Sequence, residues 1–78
     1  MTVTIDCSLT MPAIHEQLAM ALSFPAWYGI NLDALHDCLT GMTLDITLEL
    51  IHWERLPGLK RVLEDCAQEN PHLNLLIR

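Results

Sequence analysis

Three strand-like segments, each separated from the next by helical sequence, restrict the fold of this chain more than any other feature. Segments 2–7, 44–53 and 73–77 carry apolar and β-branched residues in strand patterns. No hairpin turn joins them, so each strand returns through a helical crossover and runs parallel to its neighbour. The order of strand, two helices, strand, helix and strand predicts an α/β fold, a small three-stranded parallel sheet packed with three helices.

Capping residues and turn residues indicate where the first and third helices begin and end. The first helix is predicted to follow Thr10 and to end before Pro25. The third helix is predicted to begin after the Pro-Gly pair at 57–58 and to stop at Asn70. The last strand, 73–77, is almost continuously apolar, a pattern that is typical of a strand covered on both faces.

The second helix is predicted to be short and amphipathic. Asn31 is a good N-terminal cap, and Gly41 lies near the predicted C-terminus. Leu35 and Leu39 belong to an apolar stripe at helical spacing. Polar residues three and four positions apart share the opposite face, namely Asp33, His36, Asp37 and Thr40.

Length and cysteine usage limit the class of protein. The 78 residues are enough for one domain, 1–78, and contain no repeats or linkers. Cys7, Cys38 and Cys66 are widely spaced, so we expect reduced thiols and neither a disulfide framework nor a zinc site. No apolar stretch approaches the roughly 18 residues of a membrane span, and no basic leader is present. We expect a cytoplasmic protein without a cofactor or a metal.

The charge is negative and unevenly distributed along the chain. The formal net charge is −6, and no Lys or Arg precedes residue 55. Such a field repels nucleic acid and anionic membranes, and it attracts a cationic partner. Solubility alone is an alternative explanation of the same charge.

The two aspartates of the second helix differ in what folding can explain. Asp33 lies in the first turn, where a carboxylate gains about 0.3–1 kcal/mol from the helix N-terminus. Asp37 lies beyond that turn and repels Asp33 at i,i+4 by roughly 0.2–0.5 kcal/mol. Asp37 is therefore either an ordinary solvated residue or a residue kept for binding.

Two carboxylates one helical turn apart can imitate a nucleic-acid backbone. Their separation of roughly 5–6 Å is close to that of successive phosphates along a strand. A ribonuclease must gather cationic side chains around the phosphate that it cleaves, and such a cluster accepts carboxylates through charge-assisted hydrogen bonds. An active site of this kind would therefore accept Asp33 and Asp37.

The segment from Tyr28 to Gly41, YGINLDALHDCLTG, is similar to the barstar family of small intracellular ribonuclease inhibitors. This resemblance implies a barstar-like α/β fold and inhibition of a cationic ribonuclease or related nuclease toxin by a monomer in a 1:1 complex. It also implies that the chain is not an enzyme. Matching the segment residue by residue places the inhibitory surface on Trp27, Gly29, Asn31, Asp33, His36, Asp37, Thr40 and Gly41. Asp65 of the third helix matches a further acidic contact.

The chain also departs from the family pattern at the rim of this surface. His36 stands in place of a large aromatic residue, Ile30 in place of an acid, and Met42 in place of a second aromatic residue. The connection 54–58 is shorter than the corresponding segment in barstar. These differences indicate a target other than barnase.

Several of these residues also have purely structural explanations. Trp27 and Tyr28 can both staple the start of the second helix to the core. Gly29 is expected to supply a positive φ in a turn, and Asn31 is a helix cap whatever else it does. Glu64 and Asp65 follow Lys60 and Arg61 at i+4, which is typical of a solvated ion-paired face.

Other classes of function fit the sequence less well than inhibition. A hydrolase that uses Cys38 is disfavoured because this residue is predicted on the buried side of its helix, and no catalytic motif is present. A metal site built from Asp33, His36 and Asp37 lacks a further ligand. The stronger alternative is a barstar-like binding or regulatory module whose partner is not a ribonuclease, such as a DNase toxin or a cellular complex.

Overall fold

The computed structural model describes all 78 residues, and its three strands form one parallel sheet. The strands are β1 (Thr2–Asp6), β2 (Ile46–Ile51) and β3 (Leu73–Ile77), in the spatial order β1-β2-β3. In this register Ile5 is paired with Leu50, and Leu48 is paired with Leu75. The predicted α/β fold with a small three-stranded parallel sheet is confirmed.

Three α-helices connect these strands, as the sequence predicted. They are α1 (Met11–Ala21), α2 (Leu32–Thr40) and α3 (Pro57–Glu69). Thr10 caps α1, and its hydroxyl accepts a hydrogen bond from the backbone N–H of Ala13 at 3.4 Å. A single 3-10 turn, Trp53–Arg55, precedes α3, so the second strand is shorter than the predicted segment 44–53.

All three helices cover the same face of the sheet. The two crossover connections, from β1 to β2 and from β2 to β3, step in the same direction across the sheet. Because such connections are right-handed, they place their helices on the same side of the sheet. The burial of β2 agrees, since Ile46, Leu48 and Leu50 are buried while the residues between them are only half-buried. The prediction that β3 is covered on both faces is therefore wrong: Leu76 of this strand is 41% exposed.

One hydrophobic core of 15 residues lies between the sheet and the helices. The helical spacing in the sequence correctly predicted two of its members, Leu35 and Leu39. The buried apolar residues of the helical segments are Ile14, Leu18, Leu22, Leu35, Leu39, Leu59, Leu63 and Cys66. Four of the leucines, at positions 18, 35, 39 and 63, have no exposed surface.

Asn70 connects the end of α2 to the start of β3. Its side-chain amide donates hydrogen bonds to the backbone carbonyls of Leu39 at 2.8 Å and Met42 at 2.9 Å. Its side-chain oxygen accepts from the backbone N–H of His72 at 3.0 Å. Because Asn70 is only 4% exposed, water cannot replace these three hydrogen bonds easily.

We predict that Asn70→Ala lowers the free energy of unfolding by about 2–4 kcal/mol, because it removes three hydrogen bonds of a buried side chain, each worth roughly 0.5–1.5 kcal/mol. Urea unfolding measures this change. Asn74→Ala is the matched control, since Asn74 is exposed in the neighbouring strand and should change stability by no more than about 0.5 kcal/mol. Equal losses in the two variants would contradict the structural role of Asn70.

Candidate functional site

Helix α2 begins at a well-formed cap. The side-chain oxygen of Asn31 accepts a hydrogen bond from the backbone N–H of Ala34 at 2.8 Å, and the carbonyl of Asn31 accepts the N–H of Leu35 at 3.0 Å. The side-chain amide of Asn31 donates in turn to the carbonyl of Gly29. The predicted capping role of Asn31 is confirmed, and the cap also fixes the turn that precedes the helix.

Gly29 is required for space rather than for its backbone conformation. The structure has no glycine with positive φ, so the expectation of a positive φ at Gly29 is wrong. A Cβ atom at this position would stand 3.2 Å from the side-chain amide nitrogen of Asn31. Any larger residue would therefore press against the cap of α2.

Helix α2 ends at Gly41, as the sequence predicted. The backbone N–H of Gly41 donates to the carbonyl of Asp37 at 3.2 Å, and its φ of −86° lies in the right-handed region. The Thr40 hydroxyl donates to the carbonyl of His36 at 2.8 Å, so this hydroxyl is bound to its own helix. Of the two residues, Gly41 remains exposed and Thr40 is half-buried.

The predicted acidic face is exposed opposite the buried leucines. Leu35 and Leu39 have no exposed surface, while Asp33 and Asp37 are both exposed. Neither aspartate forms an ion pair or a side-chain hydrogen bond. The lysine and arginine ion pairs of the structure are Lys60 with Glu64 at 3.3 Å and Arg78 with Glu49 at 3.0 Å. The negative charge of α2 is therefore not neutralised within the molecule.

His36 of α2 faces the C-terminal end of α3. Its Nε2 is 3.4 Å from a carboxylate oxygen of Glu69, the last residue of α3. Glu69 was not identified from the sequence, although it lies one turn beyond Asp65 on the same helix. Of the two i+4 pairs expected on α3, the one between Lys60 and Glu64 is present. Asp65 is exposed and forms no ion pair with Arg61. Two acids at the end of α3 thus accompany the acidic face of α2.

The two aromatic residues before α2 have different roles. Tyr28 is half-buried, and its ring packs against Phe24 with 4.8 Å between the ring centroids. The Tyr28 hydroxyl is hydrogen bonded to Nδ1 of His15 in α1. Trp27 is 73% exposed. The stapling role therefore belongs to Tyr28, while the indole of Trp27 is free to contact a partner.

Cys38, predicted on the buried side of α2, is half-buried, whereas the neighbouring Leu35 and Leu39 have no exposed surface. With Trp27, Asp37 and Met42 it lines a cavity of about 260 Å³. Burial raises the pKa of the Cys38 thiol, and the Asp37 carboxylate adds to this effect. Cys38 is consequently protonated at neutral pH, which weakens it as a nucleophile.

The structure contains no group of three or more His, Cys, Asp or Glu side chains positioned to hold a metal ion. The longest helix, α3, has 13 residues, and no helix is both long and apolar enough to cross a membrane.

The profile of the family described as Barstar (barnase inhibitor) matches residues 1–72. The chain therefore belongs to the barstar family, and the resemblance seen in the sequence is confirmed. A protein of Bacillus subtilis strain 168 named "Putative ribonuclease inhibitor YrdF" is 52% identical over 42 residues. The matched residues are 53% of this chain and 46% of the relative, so the similarity spans about half the length of that protein.

We predict that the hydrogen-bonded His15 makes stability depend on pH. Burial lowers the pKa of His15 below its ordinary value of 6.5, so the unfolded chain takes up a proton first as the pH falls. The part of the stability that is linked to His15 is fully present above about pH 6.5. It is lost as the pH falls from there through the pKa of His15 in the folded protein, by at most about 1.4 kcal/mol per pH unit. Denaturant unfolding between pH 5 and pH 8 measures the slope.

His15→Gln keeps a hydrogen-bond acceptor for Tyr28 and should remove this part of the slope. The control is His52→Asn, which should keep the pH dependence of the wild type. His52 is exposed, and asparagine tolerates its backbone φ of 56°. Parallel pH profiles for wild type and His15→Gln would show that His15 does not cause the dependence.

Proposed function

We propose that this member of the barstar family inhibits a ribonuclease by inserting the acidic face of α2 into the active site. The observation that carries the proposal is the pair of exposed carboxylates, Asp33 and Asp37, which have no partner inside the molecule. A nuclease active site supplies the missing cations, because it must stabilise the charge of a phosphate. Charge-assisted hydrogen bonds of this type are roughly twice as strong as neutral ones.

The helix is ordered before it binds. The Asn31 cap at one end, the Gly41 turn at the other, and the burial of Leu35 and Leu39 between them fix the direction of the aspartates. Less conformational entropy is therefore lost on association than with a flexible acidic segment. Trp27 and His36 border the aspartates, and Asp65 and Glu69 extend the negative surface along α3.

Inhibition by this route requires no chemistry from the inhibitor. It blocks the cationic active site, as a monomer in a 1:1 complex, and protects the cytoplasm against a toxin or the cell's own enzyme. The altered rim residues Ile30, His36 and Met42 supply a different set of contacts from those of barstar, which favours a target other than barnase.

A pull-down from the native host tests the proposed function directly. Immobilised wild type should retain a basic nuclease that the Asp33→Ala, Asp37→Ala double variant does not retain. The retained protein is then assayed on RNA and on DNA, with and without added inhibitor. Inhibited cleavage of RNA supports the proposal. Cleavage of DNA only, or capture of a protein without nuclease activity, favours the alternative module with another partner.

We predict that Asp37→Ala separates binding from stability. Removing a like-charge pair should change the free energy of unfolding by no more than about 0.5 kcal/mol. Binding should weaken by about 2–5 kcal/mol or more, which is the cost of leaving the partner's buried cations without their anion. The barnase–barstar complex is itself the reference case for such charge pairs. Thermal unfolding and inhibition of the co-purified nuclease measure the two effects.

Two variants serve as comparisons for Asp37→Ala. Asp33→Ala should weaken binding less and should lower stability slightly, because it also loses about 0.3–1 kcal/mol from the helix N-terminus. Glu54→Ala removes the same charge from the exposed 3-10 turn and should leave inhibition unchanged. Full inhibition by Asp37→Ala would refute phosphate mimicry.

We also predict that salt slows association strongly and dissociation only slightly. The exposed charges of α2 steer the approach of a cationic enzyme, and salt at 0.1 M screens them beyond roughly 10 Å. Barnase and barstar are themselves the reference case for this steering. Stopped-flow association rates at several salt concentrations provide the measurement, and rates independent of salt would count against α2 as the docking face.

A further inference from the structure

A second cavity lies on the other side of the segment that leads into α2. Its volume is about 330 Å³, and it lies between α1 and residues 25–30. Its apolar wall is formed by two prolines, two alanines and one isoleucine. These residues are Pro12, Ala19, Pro25, Ala26 and Ile30. This volume is within the range of small-ligand sites. Of the predicted docking surface, only the rim residue Ile30 lines this cavity.

The polar part of this cavity is an imidazole with one free nitrogen. His15 lines the cavity and is only 3% exposed, and its Nδ1 is hydrogen bonded to the Tyr28 hydroxyl. Burial raises the pKa of Tyr28 to about 12, so the phenol stays protonated and keeps this hydrogen bond at neutral pH. The bond to Tyr28 occupies Nδ1 and leaves Nε2 as the second hydrogen-bonding atom of the ring.

The second imidazole nitrogen, Nε2, has no hydrogen-bond partner within the protein. It is also not sealed from solvent, because no buried side-chain nitrogen or oxygen lacks a partner. Because His15 lines the cavity, its imidazole can form one further hydrogen bond to a group that enters. Glu16 at the same cavity is exposed and adds a negative charge, which disfavours an anionic ligand. The cavity therefore fits a neutral apolar group that carries one hydrogen-bonding group.

We propose that this cavity receives a tyrosine side chain of the nuclease, as a second anchor beside the acidic helix. The ring of a tyrosine packs well against proline and alanine walls, and its hydroxyl can donate to or accept from Nε2 of His15. Buried aromatic anchors of this kind carry much of the binding energy in protein interfaces. This inference rests on the proposed function, because it assigns the cavity to the same partner.

The segment between the two sites supports a shared partner. Pro25, Ala26 and Ile30 face the cavity, while Trp27 and Gly29 belong to the predicted docking surface. Ile30 is 63% exposed and Trp27 is 73% exposed, so apolar surface continues from the cavity to the docking surface. Ile30 stands where the family pattern has an acid, and this exchange makes the rim of the cavity apolar. A partner seated on α2 is thus adjacent to the opening.

The first test uses p-cresol, the side-chain analogue of tyrosine, and toluene, which lacks the oxygen. NMR titration of the wild-type protein should show saturable binding of p-cresol with shifts at the imidazole of His15. Toluene should bind about 2- to 12-fold more weakly, the equivalent of one neutral hydrogen bond of roughly 0.5–1.5 kcal/mol. Equal binding of the two compounds, or no binding of p-cresol, would overturn the proposal.

Ala19→Leu fills the cavity and should abolish the binding of p-cresol. Ala13→Leu is the matched control, since Ala13 lies on the same helix outside the cavity. The two variants are then compared as inhibitors of the co-purified nuclease. At least fivefold weaker inhibition by Ala19→Leu, with no change in Ala13→Leu, supports the tyrosine anchor.

The inhibition assay also separates this inference from the proposed function. If Asp37→Ala loses inhibition and Ala19→Leu does not, the docking helix is correct and the tyrosine anchor is refuted. If neither variant loses inhibition, the proposed function fails, and the assignment of the cavity to the nuclease fails with it.

Discussion

The burial of Leu35 and Leu39 is the interaction on which the candidate site depends. Helix α2 has nine residues, fewer than an isolated helix needs for stability in water. Its order must therefore come from packing and from its ends. With the two leucines buried, helical geometry places Asp33 and Asp37 on the solvent side. The same contacts that stabilise the fold also determine the direction of the acidic face.

The ends of α2 are attached to different parts of the molecule. Hydrogen bonds from Asn70 connect its C-terminal end to the start of β3, and Tyr28 connects its entrance to His15 in α1. A displacement of either attachment would move the aspartates relative to Trp27 and His36. Positioning of the site is thus distributed over α1, α3 and the sheet, although most of the proposed contacts come from one short segment.

Local features were predictable from the sequence, and features that depend on packing between elements were not. The cap at Asn31, the end at Gly41 and the buried leucines follow from spacing within one helix. The open face of β3 depends on which side of the sheet the crossovers occupy. The exposure of Cys38 depends on how the neighbouring segment covers α2, and the contact between His36 and Glu69 depends on the packing of α2 against α3. The space required at Gly29 depends on a side chain two residues away.

The ten acidic residues divide into those that have a partner within the molecule and those that do not. Five accept hydrogen bonds or form ion pairs within the molecule: Asp6, Asp45, Glu49, Glu64 and Glu69. The others have only water as a partner, and they include Asp33, Asp37 and Asp65 of the predicted docking surface. A carboxylate that is already paired must break its bond before it can accept a partner's cation, whereas a hydrated one loses only water. The aspartates without a partner in the fold are therefore better able to accept a partner's cation than the paired acids.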